Sequence, residues 1–194
     1  YFYNFTSPEF NVNVCQLPFW ALVVFYSWKS INYEKIQDLI LLGIFMSIGF
    51  LTKYLFIYLI LSVKIIFILR LIQKKSFNLN LFIPGTIFIL FLIPHIIWLF
   101  HNDFVTITYA LNRTGIDGYN ILNHFYNPIL FIIKQFGILL PVIAMLLALV
   151  KIKKINLNNF KKDRYFVLFI NIFPIILIFL TSIISGAKIR TMWM

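Results

Sequence analysis

The sequence predicts an all-α fold that crosses a membrane several times, and three observations carry that reading. Of its 194 residues 61% are hydrophobic and only 12% charged, where soluble domains run roughly 45–50% apolar and about 25% charged. The mean hydropathy is +0.91, so a compact soluble fold would leave large apolar patches facing water. The surplus of cations, a net charge of +11, gathers between the apolar runs as the positive-inside rule requires. That distribution reads as membrane topology and excludes nucleic acid as the partner of the basic residues. The single cysteine, Cys15, excludes an internal disulfide and a cysteine-based metal cage.

A membrane helix needs about 20 mostly apolar residues. Phe10–Trp28 is an uncharged run preceded by Ser7-Pro8-Glu9, a helix start with Ser as cap, Pro in the first turn and a carboxylate at the positive end of the dipole. Ser76–Phe100, Gln135–Val150 (extended back toward Pro128) and Tyr165–Ala187 give three more spans. Between them lies Leu39–Leu69. As one helix it would be about 46 Å long, against a hydrocarbon core of roughly 30 Å.

Charge resolves that stretch. With a break at Lys53, eleven basic residues fall on the cytoplasmic side and four, Lys53, Arg113, Lys188 and Arg190, on the other. Without it the division falls to nine against five, and both Lys53 and Lys64 stay inside the bilayer. The prediction is therefore six spans, the first running inward, with Tyr1–Glu9, the Lys53 turn, a long His101–Asn127 loop and the tail from Lys188 outside.

No Walker loop, dinucleotide fingerprint, zinc-ligand spacing or nucleophile elbow occurs. The chemistry-bearing residues lie on the predicted outer side. Pro94-His95-Ile96-Ile97-Trp98 leads into His101, Asn102 and Asp103, and the loop continues to Arg113. Asp103 could orient Arg113, whose planar guanidinium matches phosphate oxygens; a solvated loop with a helix-end cap is the equal alternative. The tryptophans near the boundaries, Trp20, Trp28, Trp98 and Trp193, read as an aromatic belt. Ionisable residues inside apolar runs are functional by default. Lys134, about two turns from the outer end of its span, is placed to face a cavity there, whereas Lys64 reads as snorkelling toward the cytoplasm.

These residues, in order, resemble bacterial members of glycosyltransferase family 39. The resemblance rests on Ser7-Pro8-Glu9-Phe10-Asn11, Leu17-Pro18-Phe19-Trp20-Ala21-Leu22, Gly43 and Gly49-Phe50-Leu51-Thr52-Lys53-Tyr54, Pro94-His95-Ile96-Ile97-Trp98 with Asn102-Asp103-Phe104, and Gly186, Arg190, Met192-Trp193. That group includes protein O-mannosyltransferases, lipid A aminoarabinose transferase and Rgt-type transferases of lipopolysaccharide cores. The resemblance implies a GT-C-like helical fold and transfer of a glycosyl group from a polyprenyl-phosphate-linked sugar to lipopolysaccharide, another glycan or a protein. It places the reaction at the outer face of the bacterial inner membrane, with membrane lipid and the lipid-linked donor as partners.

It also implies roles. Lys53 matches the lysine associated with the lipid phosphate, and Arg113 and Arg190 are the other outer cations for it. His124, in His-x-x-x-Pro, resembles a histidine that helps bind metal in the aminoarabinose transferase, so the resemblance leaves room for a divalent metal. Val12-Asn13 stands where many relatives have Thr-Asp, which leaves Glu9 as the nearby carboxylate. Glu9, Asn13, His101, Asp103 and Lys134 complete the expected substrate-facing set. The chain opens on Tyr1 and stops at Met194, and is expected to be part of a single transmembrane glycosyltransferase domain whose N-terminal part, with the catalytic base in its first outer loop, precedes Tyr1. The alternative reading is a transporter or flippase of lipid-linked sugars, which also wants outer cations and buried lysines; no internal repeat supports it.

Overall fold

The computed structural model describes residues 12–74, 78–113, 121–149 and 161–188. They form seven α-helices: α1 Val12–Tyr33, α2 Ile36–Thr52, α3 Ile57–Lys74, α4 Ile83–His101, α5 Val105–Arg113, α6 Asn123–Leu149 and α7 Lys161–Ser185. No strand occurs among the described residues, so the all-α prediction holds. Four helical segments are long and apolar enough to cross a membrane: Tyr54–Gln73, Leu79–His101, Asn123–Leu147 and Asp163–Ser185. The helix Ile36–Thr52 is apolar but shorter. The first predicted span coincides with α1, which stands outside that group because Asn13, Gln16, Ser27, Lys29 and Ser30 dilute its apolar character.

The chain divides into two compact units, one ending at Val105 and one beginning at Thr106. In the first, α1 to α4 run alternately in opposite directions. At one end the α1–α2 connection is pinned by a salt bridge of 2.7 Å between Lys29 and the buried Asp38. The Lys29 ammonium also lies 5.7 and 5.5 Å from the ring centroids of Phe25 and Tyr26. Because its charge is paired, the helix continues past Trp28, where the sequence had placed its end, and Glu34 closes it with a left-handed φ of 52°. At the same end Asn78 donates to Glu34 at 3.4 Å and caps the turn that feeds α4 by accepting from the Asn80 amide at 3.0 Å.

At the opposite end the predicted break is present. Helix α2 stops at Thr52, and Lys53 is extended, with φ −161° and ψ 124°. A 3-10 turn, Tyr54–Phe56, then starts α3. The return is tight because Gly49 has no side chain: a Cβ there would lie 2.4 Å from the Phe56 ring. That vacancy lets Phe56 bury completely, in edge contact with Trp20 at 5.6 Å between centroids. Val23, Leu39, Leu42, Leu59 and Val63 are likewise essentially inaccessible along these helices. Three buried or part-buried serines on these apolar helices are satisfied locally: Ser27, Ser47 and Ser62 each donate to the carbonyl four residues back at 2.6, 2.8 and 2.7 Å.

In the second unit α6 and α7 pack antiparallel, since the start of α6 meets the end of α7 at His124 and Ile183. The sequence was read as one loop over 101–127 and a span starting near Pro128. Instead, residues 105–113 are helical and α6 begins at Asn123. The apolar spacing of Phe104, Ile107 and Leu111 gives α5 one apolar stripe, and Pro128 falls inside α6, in its second turn.

Candidate functional site

The alternation of α1 to α4 brings four helix ends together: the start of α1, the end of α2, the start of α3 and the end of α4. The centre of that cluster is the dipeptide Lys53-Tyr54. The Lys53 ammonium donates to the Asn13 side-chain oxygen at 2.7 Å, joining the turn to α1. Tyr54 shares a hydrogen bond of 2.8 Å with His95 Nε2, joining it to α4. The His95 ring in turn lies nearly parallel to Trp98, 13° between planes and 5.8 Å between centroids. Trp98 keeps 43% of its surface exposed.

Electrostatics at this turn are dominated by desolvation. Lys53 is half-buried, and burial pushes its ammonium down to about 8 because the charged form is the one that loses water. It remains a cation at neutral pH, in surroundings where a charge acts with less screening than at a wet surface.

The predicted site residues divide by location. Lys53 and Asn13 touch. His101 and Asp103 lie at the same end of the first unit, both exposed. His101 closes α4, and Asp103 has a left-handed φ of 47° in the turn that follows. Arg113 ends α5, and the placement of its side chain is outside the described residues, as are Glu9 and Arg190 altogether. Lys134 is exposed on α6, eleven residues from the start of the helix. That is about 16 Å in, three turns from the end rather than the expected two, because α6 starts earlier than the sequence suggested. Lys64 lies at the middle of the span Tyr54–Gln73. It lines an otherwise apolar cavity of about 360 Å³ with Phe67, Phe82 and Ile89, away from the Lys53 turn.

His124 is held by its Nδ1 on the Ile183 carbonyl at 2.7 Å. With Nδ1 donating, Nε2 carries the lone pair, the tautomer of a metal-ligating histidine. The remaining ligands are not beside it: among the described residues no group of three His, Cys, Asp or Glu could hold a metal ion. One histidine does not make a metal site, and the chemistry below uses none. Around His124 the contacts are structural. Asn127 donates to the Gly186 carbonyl at 2.7 Å, and Ser182 donates to the Ala187 carbonyl at 2.9 Å.

Sequence reasoning did not assign Tyr54, His95 or Trp98 to the site. His95 stood within a segment singled out for its polar residues, but nothing in the spacing pairs it with a tyrosine 41 positions earlier.

A half-buried lysine at a helix turn, flanked by polar and aromatic side chains, can hold an anionic group. The family model for dolichyl-phosphate-mannose-protein mannosyltransferases matches residues 1–98, which include the whole Lys53 cluster. The chain belongs to that family of membrane glycosyltransferases, of the GT-C type. No curated protein and no solved structure matches it.

Proposed function

We propose that this chain forms the donor-phosphate side of a glycosyltransferase active site. The enzyme transfers a glycosyl group from a polyprenyl-phosphate-linked sugar to an acceptor hydroxyl on lipopolysaccharide, another glycan or a protein, at the outer face of the bacterial inner membrane. The acceptor oxygen attacks the anomeric carbon and gives its proton to a base. The glycosidic C–O bond breaks, and polyprenyl phosphate leaves with the bonding electron pair. Negative charge therefore grows on the phosphate as the bond breaks. A fixed cation beside it is worth more in the transition state than in the ground state.

The observation that carries this reading is Lys53. It sits half-buried at a helix turn, on Asn13, within the region that matches the family. His101 and Asp103 are proposed as groups of the surrounding rim.

The test is turnover of a polyprenyl-phosphate sugar by the intact enzyme in membranes. Lys53→Met is expected to lower it on the order of 10²–10³-fold, the usual cost of one transition-state contact, with undiminished amounts of folded protein. Lys35→Met, an exposed position at the other end of the first unit, is expected to stay within a factor of about five, as for a surface charge worth roughly 0–1 kcal/mol. Near-normal turnover in Lys53→Met would reject the phosphate role.

A further inference from the structure

The dipeptide Lys53-Tyr54 is anchored on both sides. Lys53 reaches α1 through Asn13 at 2.7 Å, and Tyr54 reaches α4 through His95 at 2.8 Å. Between these contacts the backbone is no longer helical: Lys53 is extended, and its carbonyl accepts from the Phe56 amide at 2.9 Å to start the 3-10 turn. The Lys53 N–H still donates to the Gly49 carbonyl at 3.3 Å, so the backbone bonds tie the residue to α2 on one side and to the 3-10 turn on the other. The two side-chain contacts add ties from this turn to α1 and to α4.

His95 is a polar residue inside the span Leu79–His101, where an apolar side chain would pack against Tyr54 at no desolvation cost. Intramembrane ionisable residues are expensive and carry a role by default. The aromatic chain from Phe50 through Tyr54 and His95 to Trp98, with centroid separations of 5.3, 5.8 and 5.8 Å, braces the imidazole from both sides. Ring and hydroxyl are thereby held in one geometry.

We propose that His95 is a positioning residue for Lys53: by holding the Tyr54 hydroxyl on α4 it fixes the turn that presents the lysine ammonium to a lipid-borne phosphate. This rests on the donor-phosphate reading above and adds a second helix to the site. The coupling runs from α4 through Tyr54 and the Lys53 backbone to the ammonium on α1. His95 itself touches no phosphate in this arrangement.

The experiment measures binding of a polyprenyl monophosphate to the protein in lipid nanodiscs, by phosphorus NMR titration, alongside turnover in the intact enzyme. One interhelical hydrogen bond in a membrane is worth about three- to fifteenfold in an equilibrium constant. His95→Phe and Tyr54→Phe are each expected to weaken binding by about that factor, and the double variant no more than either alone, since both remove one bond. His95→Gln, which keeps a hydrogen-bonding group for the tyrosine, is expected to recover most of the affinity. The decisive pair is Asn13→Ala with His95→Phe. These residues sit on different helices, so a simply structural role makes their effects additive, whereas positioning through the turn makes them non-additive. Additive losses, or no rescue by Gln, would overturn the positioning role. If Lys53→Met itself leaves binding unchanged, the donor-phosphate reading fails first, and the two failures are thereby separated.

Discussion

Lys53 and Asn13 are forty residues apart in sequence and 2.7 Å apart in space, with a neutral amide oxygen receiving the ammonium proton. The amide satisfies the lysine without neutralising it, so the cation's behaviour is set largely by its loss of water.

A pH dependence follows. With Lys53 depressed to about 8 from the ordinary 10.5, binding of a polyprenyl monophosphate is expected to hold up to about pH 7 and to decline as pH rises through 8. Lys53→Arg keeps its charge throughout and should lose that alkaline limb. Stability moves the other way. The unfolded chain binds the proton more tightly than the folded one, so unfolding free energy rises between about pH 8 and 10.5. Asn13→Asp would place an opposite charge within contact distance and raise the limb by about one unit or more. A limb unmoved by Lys53→Arg would assign it to another group.

Gly49 tests the packing beneath the turn. A methyl group there would lie 2.4 Å from the Phe56 ring, and overpacking of this kind costs about 1–3 kcal/mol. Gly49→Ala is expected to lower the thermal unfolding midpoint in detergent and to weaken phosphate binding with it. Gly85→Ala, where nothing lies within 4 Å, is the matched control and should leave both unchanged.

Gly186 tests the second unit. Its φ of +65° is one that side chains other than glycine adopt at a cost, and a Cβ there would sit 3.0 Å from His124 Nε2. Gly186→Ala is expected to destabilise by about 1–3 kcal/mol, read as faster proteolysis at the end of α7. His124→Ala in the same background relieves the contact but leaves the backbone strain and removes the bond to the Ile183 carbonyl, so it is expected not to restore the loss.

Sidedness is tested by thiol labelling. In a Cys15→Ser background, cysteine at Asn102, beside the end of α4, is expected to react with an impermeant reagent from outside spheroplasts. Cysteine at Lys35, at the α1–α2 connection, is expected to react only after lysis. The opposite pattern would reverse the topology and move the Lys53 cluster to the cytoplasmic face.

What was legible in the sequence is what one-dimensional patterns encode. The break at Lys53 was found because a helix through Leu39–Leu69 would be too long and would strand two lysines in lipid. Span identities followed from apolar run length. The beginning of α6 at Asn123 and the helix α5 were missed because Asn, His and Thr carry weak helix preference, and only packing at His124 and Asn127 makes the first turn of α6 favourable. The Tyr54–His95 bond was missed for a different reason: it joins the 3-10 turn after α2 to α4, and which faces of α2 and α4 meet is decided by packing, not by either periodicity.

The length of α2 bears on what could reach the lysine. Its 17 residues rise about 25 Å, short of a hydrocarbon layer of roughly 30 Å. Hydrophobic mismatch of a few ångströms is met by thinning the bilayer or by sinking the helix end below the headgroup plane, and α2 is wedged between α1 and α4. A helix of that length would set the Lys53 turn at its tip below the headgroup plane. A water-soluble sugar phosphate reaching it must shed its hydration, whereas a phosphate tethered to an isoprenoid tail arrives by lateral diffusion with its apolar part already in lipid. If the donor is lipid-borne, as proposed, the short helix would favour it by partitioning, before any group has recognised the sugar.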